Sequence, residues 1–223
     1  MNQNARTPKR FPRRARGFGV DLYWLPVGAG GHSVRLNGRV FEATTAWVEH
    51  RDRCDLYHSA LEVRVPEGGY VIEMTPIPDA NGAERGVFAE GAVGSHWARR
   101  LRIFRYELRC SLDGQIPDVN EAVESPQRLT DDPDRARGLL ELAPCVPTAV
   151  WGRDELNAGE MWNSNSVIAW FITSSNLAEN ASLPKDGRAP GWDAGVAVAV
   201  RTPRSTHASS APKSAEASAA AVS

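Results

Sequence analysis

Residues 163–172, which read Asn-Ser-Asn-Ser-Val-Ile-Ala-Trp-Phe-Ile, constrain the fold more than any other stretch of this chain. Four small polar residues stand directly before an apolar run. Asn and Ser side-chain oxygens accept hydrogen bonds from the first free N–H groups of a helix. Apolar residues then recur at helical spacing, at Val167, Ile168, Phe171 and Ile172. The segment therefore predicts an N-capped helix with a face buried in the core.

Composition predicts one folded domain between two tails. The chain has 223 residues and a net charge of -1, so no overall field attracts it to nucleic acid. Residues 1–17 contain six Arg or Lys residues and no acid, which is typical of a disordered basic arm that contacts anionic partners if it contacts anything. Residues 203–223 are almost all Ala, Ser, Pro and Thr, a composition with too few large apolar groups to fold. The predicted domain is residues 18–202.

Cysteine usage and hydropathy predict a cytoplasmic location. The three cysteines are far apart and form no Cys-x-x-Cys pair, and an odd number does not build a disulfide framework. No apolar run is long enough for a transmembrane segment, and no secretory signal is expected.

Neither a metal nor a cofactor is predicted. His50, Cys54 and His58 are spaced four apart and would align on a helix, but residues 56–63 have the pattern of a strand. Residues 28–32, Gly-Ala-Gly-Gly-His, lack the Lys of a phosphate-binding loop and the full dinucleotide fingerprint, so they are interpreted as a turn.

The order of predicted elements indicates an α+β fold. Strands are predicted in the first half as two hairpins, 33–36 with 39–43 and 58–65 with 70–75, and as a single strand at 101–112 with one solvent-exposed face. A helix at 134–142, the helix from Asn163 and a buried last strand at 196–201 follow. Runs of strands with segregated helices are typical of α+β domains.

The second hairpin places a histidine and an acid on one face of the sheet. Side chains alternate between faces along a strand, and an even loop without a bulge pairs residues whose numbers have an odd sum. His58 and Glu73 then share a face, and the opposite face is apolar and buried, with Leu61, Val63, Ile72 and Met74. A solvated cross-strand pair explains His58 and Glu73 equally well.

These residue types suit acyl transfer. A serine hydroxyl becomes nucleophilic when a histidine takes its proton, and an acid orients the histidine. Ser164 at the helix start, His58 and Glu73 fit these roles, and N–H groups near Ser164 would stabilise an oxyanion. The alternative is an ordinary capping sequence on a core helix.

The same segments resemble a known superfamily. Residues 57–63, Tyr-His-Ser-Ala-Leu-Glu-Val, are similar to a His-Trp-Ala-Leu-Tyr-Val motif, and residues 70–74 to Tyr-Val-Val-His-Leu. Residues 163–168 are similar to Asn-Cys-Glu-His-Phe-Val. These motifs belong to the circularly permuted papain-like superfamily, which includes permuted NlpC/P60 proteins and the lecithin:retinol acyltransferase-like group. An uncharacterised bacterial family near this superfamily has an Asn-Ser-Asn-Thr-Phe variant of the last motif, and residues 163–167 resemble that variant.

The resemblance implies a permuted papain-like domain: a central antiparallel sheet with the Ser164 helix packed on it. It also implies a hydrolase or acyltransferase of amides, esters or thioesters with a peptide, lipid or small-molecule acyl substrate. Ser164 stands where the superfamily has Cys, and Glu73 where it has His. The chain then either uses a Ser-His-Glu arrangement or is a catalytically inactive binding module. Four neighbouring residues are expected to hold the oxyanion or wall the cleft: Trp162, Asn163, Asn165 and Ser166.

Overall fold

A computed structural model describes residues 17–27, 54–76, 86–97, 100–101 and 104–201. Seven strands lie in these ranges: β1 Gly19–Pro26, β2 Asp55–Val65, β3 Gly68–Pro76, β4 Val87–Ala92, β5 Arg105–Leu112, β6 Gln127–Thr130 and β7 Gly187–Arg188. Three α-helices accompany them: α1 Pro133–Glu141, α2 Ser164–Ser174 and α3 Trp192–Arg201. The predicted hairpin at 33–43, the glycine-rich turn, residues 1–16 of the basic arm predicted at 1–17 and the C-terminal tail lie outside the described residues.

The strands form one sheet in the order β4-β5-β3-β2-β1-β6, in which all neighbours are antiparallel. The short β7 pairs in parallel with the first residues of β2. This confirms the α+β class and the antiparallel sheet. No helix of the described residues is long and apolar enough to cross a bilayer.

The β2–β3 hairpin turns at Pro66 and Glu67, and Val65 pairs with Gly68. Its paired numbers have an odd sum, as the turn sequence predicts. Leu61, Val63, Ile72 and Met74 all lie in the main core, so the predicted buried face is confirmed. β2 starts at Asp55 rather than at residue 58, because Tyr57 still pairs with β1 and the first two residues pair with β7.

The helix predicted at residue 163 is α2, and it packs on the apolar face of the sheet. Its predicted core positions Val167, Ile168, Phe171 and Ile172 are fully buried and contact the same core. α1 matches the helix predicted at 134–142 to within one residue, with Asp132 as its N-cap.

The strand predicted at 196–201 is wrong, because these residues belong to helix α3. Alternating valine and alanine fit a period of two, but the helix is favoured by close packing of α3 against α2. At Gly195 a Cβ atom would lie 2.1 Å from the Ser166 carbonyl oxygen. Only glycine permits that approach of the two helices.

The prediction of a solvent-exposed face for β5 is also partly wrong. Tyr106 and Leu108 are buried on the core face as expected, but Glu107 on the other face is only 2% exposed. Arg109 donates two hydrogen bonds to the Glu107 carboxylate, at 2.9 and 2.7 Å. A buried carboxylate is tolerated here because the neighbouring guanidinium pairs with it.

Candidate functional site

The first turn of α2 lies beside a stretch of β2 for which the structure records no pairing with β3. The β2–β3 register runs from Val65 opposite Gly68 to Leu61 opposite Ile72. The Leu56 carbonyl accepts the N–H of Val27 on the β1 side. Successive carbonyls of a strand point to opposite edges, so the Tyr57 carbonyl points away from β1.

The Asn165 side chain provides a hydrogen-bond partner for the Tyr57 carbonyl. Its amide nitrogen donates to the carbonyl of Tyr57 at 2.9 Å and to that of Pro190 at 3.0 Å. Its amide oxygen accepts the hydroxyl of Ser59 at 2.9 Å. Asn165 is only 3% exposed. These bonds join three separate parts of the chain, namely β2, α2 and the turn before α3; we call this arrangement the polar joint.

Asn163 and Ser166 complete the polar joint as a capping box. The Asn163 side-chain oxygen accepts the backbone N–H groups of Asn165 at 2.9 Å and Ser166 at 3.3 Å, and the Ser166 hydroxyl oxygen accepts the Asn163 N–H at 3.0 Å. The Asn163 side-chain nitrogen donates to the Pro190 carbonyl at 2.8 Å, and the Ser166 hydroxyl donates to that of Gly191 at 2.7 Å.

These hydrogen bonds use the side chains and N–H groups of residues 163, 165 and 166 that the sequence suggests for holding an oxyanion. The N–H groups of residues 165 and 166 both point at the Asn163 side chain, and that of Val167 donates to the Asn163 carbonyl at 3.2 Å. Both side-chain amides are bonded to protein carbonyls. The segment therefore functions as a structural cap in this conformation.

The structure brings Ser164 and His58 to different surroundings. Ser164 is half-buried at the first position of α2, and its side chain makes no hydrogen bond with any described residue. Ser59 faces α2 through its bond to Asn165. Because neighbouring side chains alternate, His58 lies on the opposite face of β2.

His58 lies on the side of the sheet that carries a small second hydrophobic cluster. This cluster contains Leu25, which pairs with His58 across β1 and β2, and Ile116. Burial lowers the pKa of the His58 imidazole, and the Asp118 carboxylate opposes this effect. Burial therefore favours the neutral form of the His58 imidazole.

Glu73 shares that face of the sheet with His58, but the described residues show no hydrogen bond between them. Glu73 lies opposite Arg109 on β5. Burial raises the pKa of the Glu73 carboxyl, and the Arg109 guanidinium opposes the rise. Its proposed role as the group that orients His58 stays a prediction.

Lowering the pH should destabilise the protein through His58. The pKa of His58 is lower in the folded state than the ordinary value near 6.5, so the unfolded chain binds more protons between the two values. The His58 contribution is complete above about pH 6.5 and is lost as the pH falls toward the folded pKa, with a slope of at most about 1.4 kcal/mol per pH unit.

Urea unfolding at several pH values, for the wild type and for His58→Gln, measures this effect. The wild type should lose more stability than the variant between about pH 7 and pH 5. Parallel stability curves for the two proteins would contradict the assignment. The difference between the two curves removes the contribution of Glu73, whose raised pKa acts in the opposite direction.

Trp162, expected to wall a cleft, lies in the core at 1% exposure. It forms a bridge with Trp151, and its indole nitrogen has no partner among the described residues. Trp192 packs against Trp24, with ring centroids 4.9 Å apart. The described tryptophans near the polar joint therefore serve mainly in packing.

Sequence reasoning missed a second cluster, in which His96 contacts Glu155 beside Arg153. Three consecutive charged residues, Arg-Asp-Glu at 153–155, follow a glycine shortly before the capping segment, and this was the available signal. Nothing local links them to His96, which is 59 residues away.

No group of three or more His, Cys, Asp or Glu side chains arranged to hold a metal occurs in the part of the chain that the structure describes. Cys54 and His58 of the spaced triplet lie at the start of β2 rather than on a helix, and His50 is outside the described residues. On a strand, residues four apart share a face but lie about 13 Å apart, which is too far for both to bind one metal ion.

Comparison with known proteins gives no relative: no family model, no curated protein and no solved structure matches this chain.

Proposed function

We propose that this chain is a binding module on a permuted papain-like frame, in which the residue at the nucleophile position does not catalyse. The observation that carries the proposal is the polar joint. The side chains of Asn163, Asn165 and Ser166 bond α2 to the rest of the fold, and their N–H groups are used within the cap. A group that already holds a protein carbonyl is not free to stabilise a reacting one.

The arrangement of elements supports the papain-like part of the proposal. A β-hairpin that starts near the histidine is followed, later in the chain, by a helix that packs on its apolar face. The helix start is the segment similar to Asn-Cys-Glu-His-Phe-Val. The position of His58 on the far face of β2 supports the loss of catalysis.

A thiol at position 164 tests the proposal directly. In Ser164→Cys, the rate at which iodoacetamide modifies residue 164 can be followed by peptide mass spectrometry across pH, apart from the native cysteines. We expect the same pH profile in Ser164→Cys and in Ser164→Cys/His58→Gln, because His58 does not reach the thiol. The helix start lowers the thiol pKa equally in both proteins, so its effect cancels.

A loss of about tenfold in rate near pH 6 on removing His58 would show a thiolate–imidazolium pair and contradict the proposal. Wild-type protein, shown to be folded by circular dichroism, should also give no labelling with a fluorophosphonate probe.

The competing function is the hydrolase or acyltransferase with Ser164, His58 and Glu73. One observation favours it: Ser164 is half-buried at a helix N-terminus, and its hydroxyl is not bonded to any described residue. Fluorophosphonate labelling that disappears in Ser164→Ala would establish this function instead.

A further inference from the structure

A pocket of about 350 Å³ lies between the segment after β4 and the loop before the capping segment. His96, Val150, Arg153, Asp154 and Glu155 line it. This volume is in the range of small-ligand sites. The pocket is separate from the polar joint, and the inference drawn from it stands without the proposed function.

Glu155 fixes the histidine of this pocket. One carboxylate oxygen accepts the Val150 N–H at 2.9 Å, and the other contacts Nε2 of His96. The Val150 N–H and His96 lower the pKa of the Glu155 carboxyl, so it is ionised at neutral pH. An ionised carboxylate only accepts hydrogen bonds, so Nε2 of His96 carries the hydrogen. The other ring nitrogen, Nδ1, is then available to a ligand, and the side chain is 65% exposed.

The acids of the pocket are already bonded to the protein. The two Asp154 oxygens accept the N–H groups of Ala158 at 2.6 Å and Gly159 at 2.9 Å. Both Glu155 oxygens are occupied as described. The Arg153 guanidinium, in contrast, makes no hydrogen bond or salt bridge within the described residues, although its charge helps to lower the pKa of the nearby Glu155 carboxyl. Among the side chains that line the pocket, Arg153 and, once it is protonated, His96 have donors that are not bonded to the protein.

We propose that this pocket binds the phosphate group, or a similar oxyanion, of a small ligand. The Arg153 guanidinium and the Nδ1–H of protonated His96 donate to the oxyanion. Glu155 is a positioning residue that holds the imidazole ring by its other nitrogen. Charge-assisted donors of this kind bind oxyanions more strongly than neutral ones do, and the guanidinium fork matches phosphate geometry.

Inorganic phosphate titrated into the full chain at constant ionic strength tests this proposal. The His96 ring resonances should shift as phosphate is added. The His96→Gln spectrum assigns these resonances. Arg153→Gln should weaken binding roughly tenfold, and Arg153→Lys should restore part of it.

Arg100→Gln is the matched control, because Arg100 is exposed, lies four residues from His96 and is outside the pocket. It removes the same charge and should leave binding unchanged. Equal weakening by Arg100→Gln and Arg153→Gln would show general attraction to the protein's charge and overturn the proposal. Phosphate that leaves the His96 resonances unmoved would also overturn it.

The positioning role of Glu155 can be measured separately by NMR. The ring ¹⁵N shifts of neutral His96 should report hydrogen on Nε2 in the wild type and a mixture of tautomers in Glu155→Ala. Weaker phosphate binding together with this mixture supports positioning. An unchanged tautomer in a folded Glu155→Ala protein would contradict it.

Discussion

Asn165→Ala should lower the free energy of unfolding by about 2–4 kcal/mol, measured by urea denaturation. The change removes the donor to the Tyr57 carbonyl and the acceptor of the Ser59 hydroxyl, both in a buried site. Each buried polar group left without a partner costs about 1–3 kcal/mol. The Pro190 carbonyl still accepts from Asn163, so it adds little to the loss.

Ser164→Ala is the control for this prediction and should change stability by less than about 0.5 kcal/mol. Ser164 is the neighbouring residue in the same helical turn, but its hydroxyl bonds to no described residue. The prediction fails if the two variants are equally stable, or if Asn165→Ala loses less than about 1 kcal/mol.

The second large effect is expected at Gly195. Gly195→Ala should cost about 3 kcal/mol and lower the melting temperature by roughly 6–12 °C in calorimetry. The new Cβ would lie 2.1 Å from the Ser166 carbonyl oxygen and 2.8 Å from the Ala169 side chain, so α3 must move away from α2. The helix preference of alanine over glycine, about 1 kcal/mol, is too small to offset this.

Gly138→Ala in α1 supplies the matched comparison, because it makes the same exchange in a helix with no atom within 4 Å of the new Cβ. It should stabilise the protein by about 0.5–1 kcal/mol. A Gly195→Ala protein as stable as Gly138→Ala would show that the two helices separate at no cost, contrary to the packing argument.

The elements that the sequence predicted well are those fixed by local interactions. The cap and the apolar spacing of α2 lie within ten residues, and the β2–β3 turn within four. The sequence of helix α3 predicts a strand because its local pattern fits a period of two, and its helical form depends on contact with α2 at Gly195.

The candidate site illustrates the same limit. The polar residues at 163–166 were correctly identified as a helix start, yet the partners of Asn165 are 108 residues away at Tyr57 and 25 away at Pro190. Residue types alone suit both a catalytic and a structural role. The long-range hydrogen bonds, which no local pattern encodes, favour the structural one.

The polar joint also determines the alignment of α2 on the sheet. From Asn165 to Ile172 every residue of α2 is buried, and most of them are apolar. Apolar contacts are not directional, so such a helix could slide along an apolar sheet by one turn, about 5.4 Å, and still bury a similar area. The three hydrogen bonds of Asn165 are satisfied in one position only. A few buried amides and hydroxyls thus select a single native arrangement among several of similar hydrophobic energy.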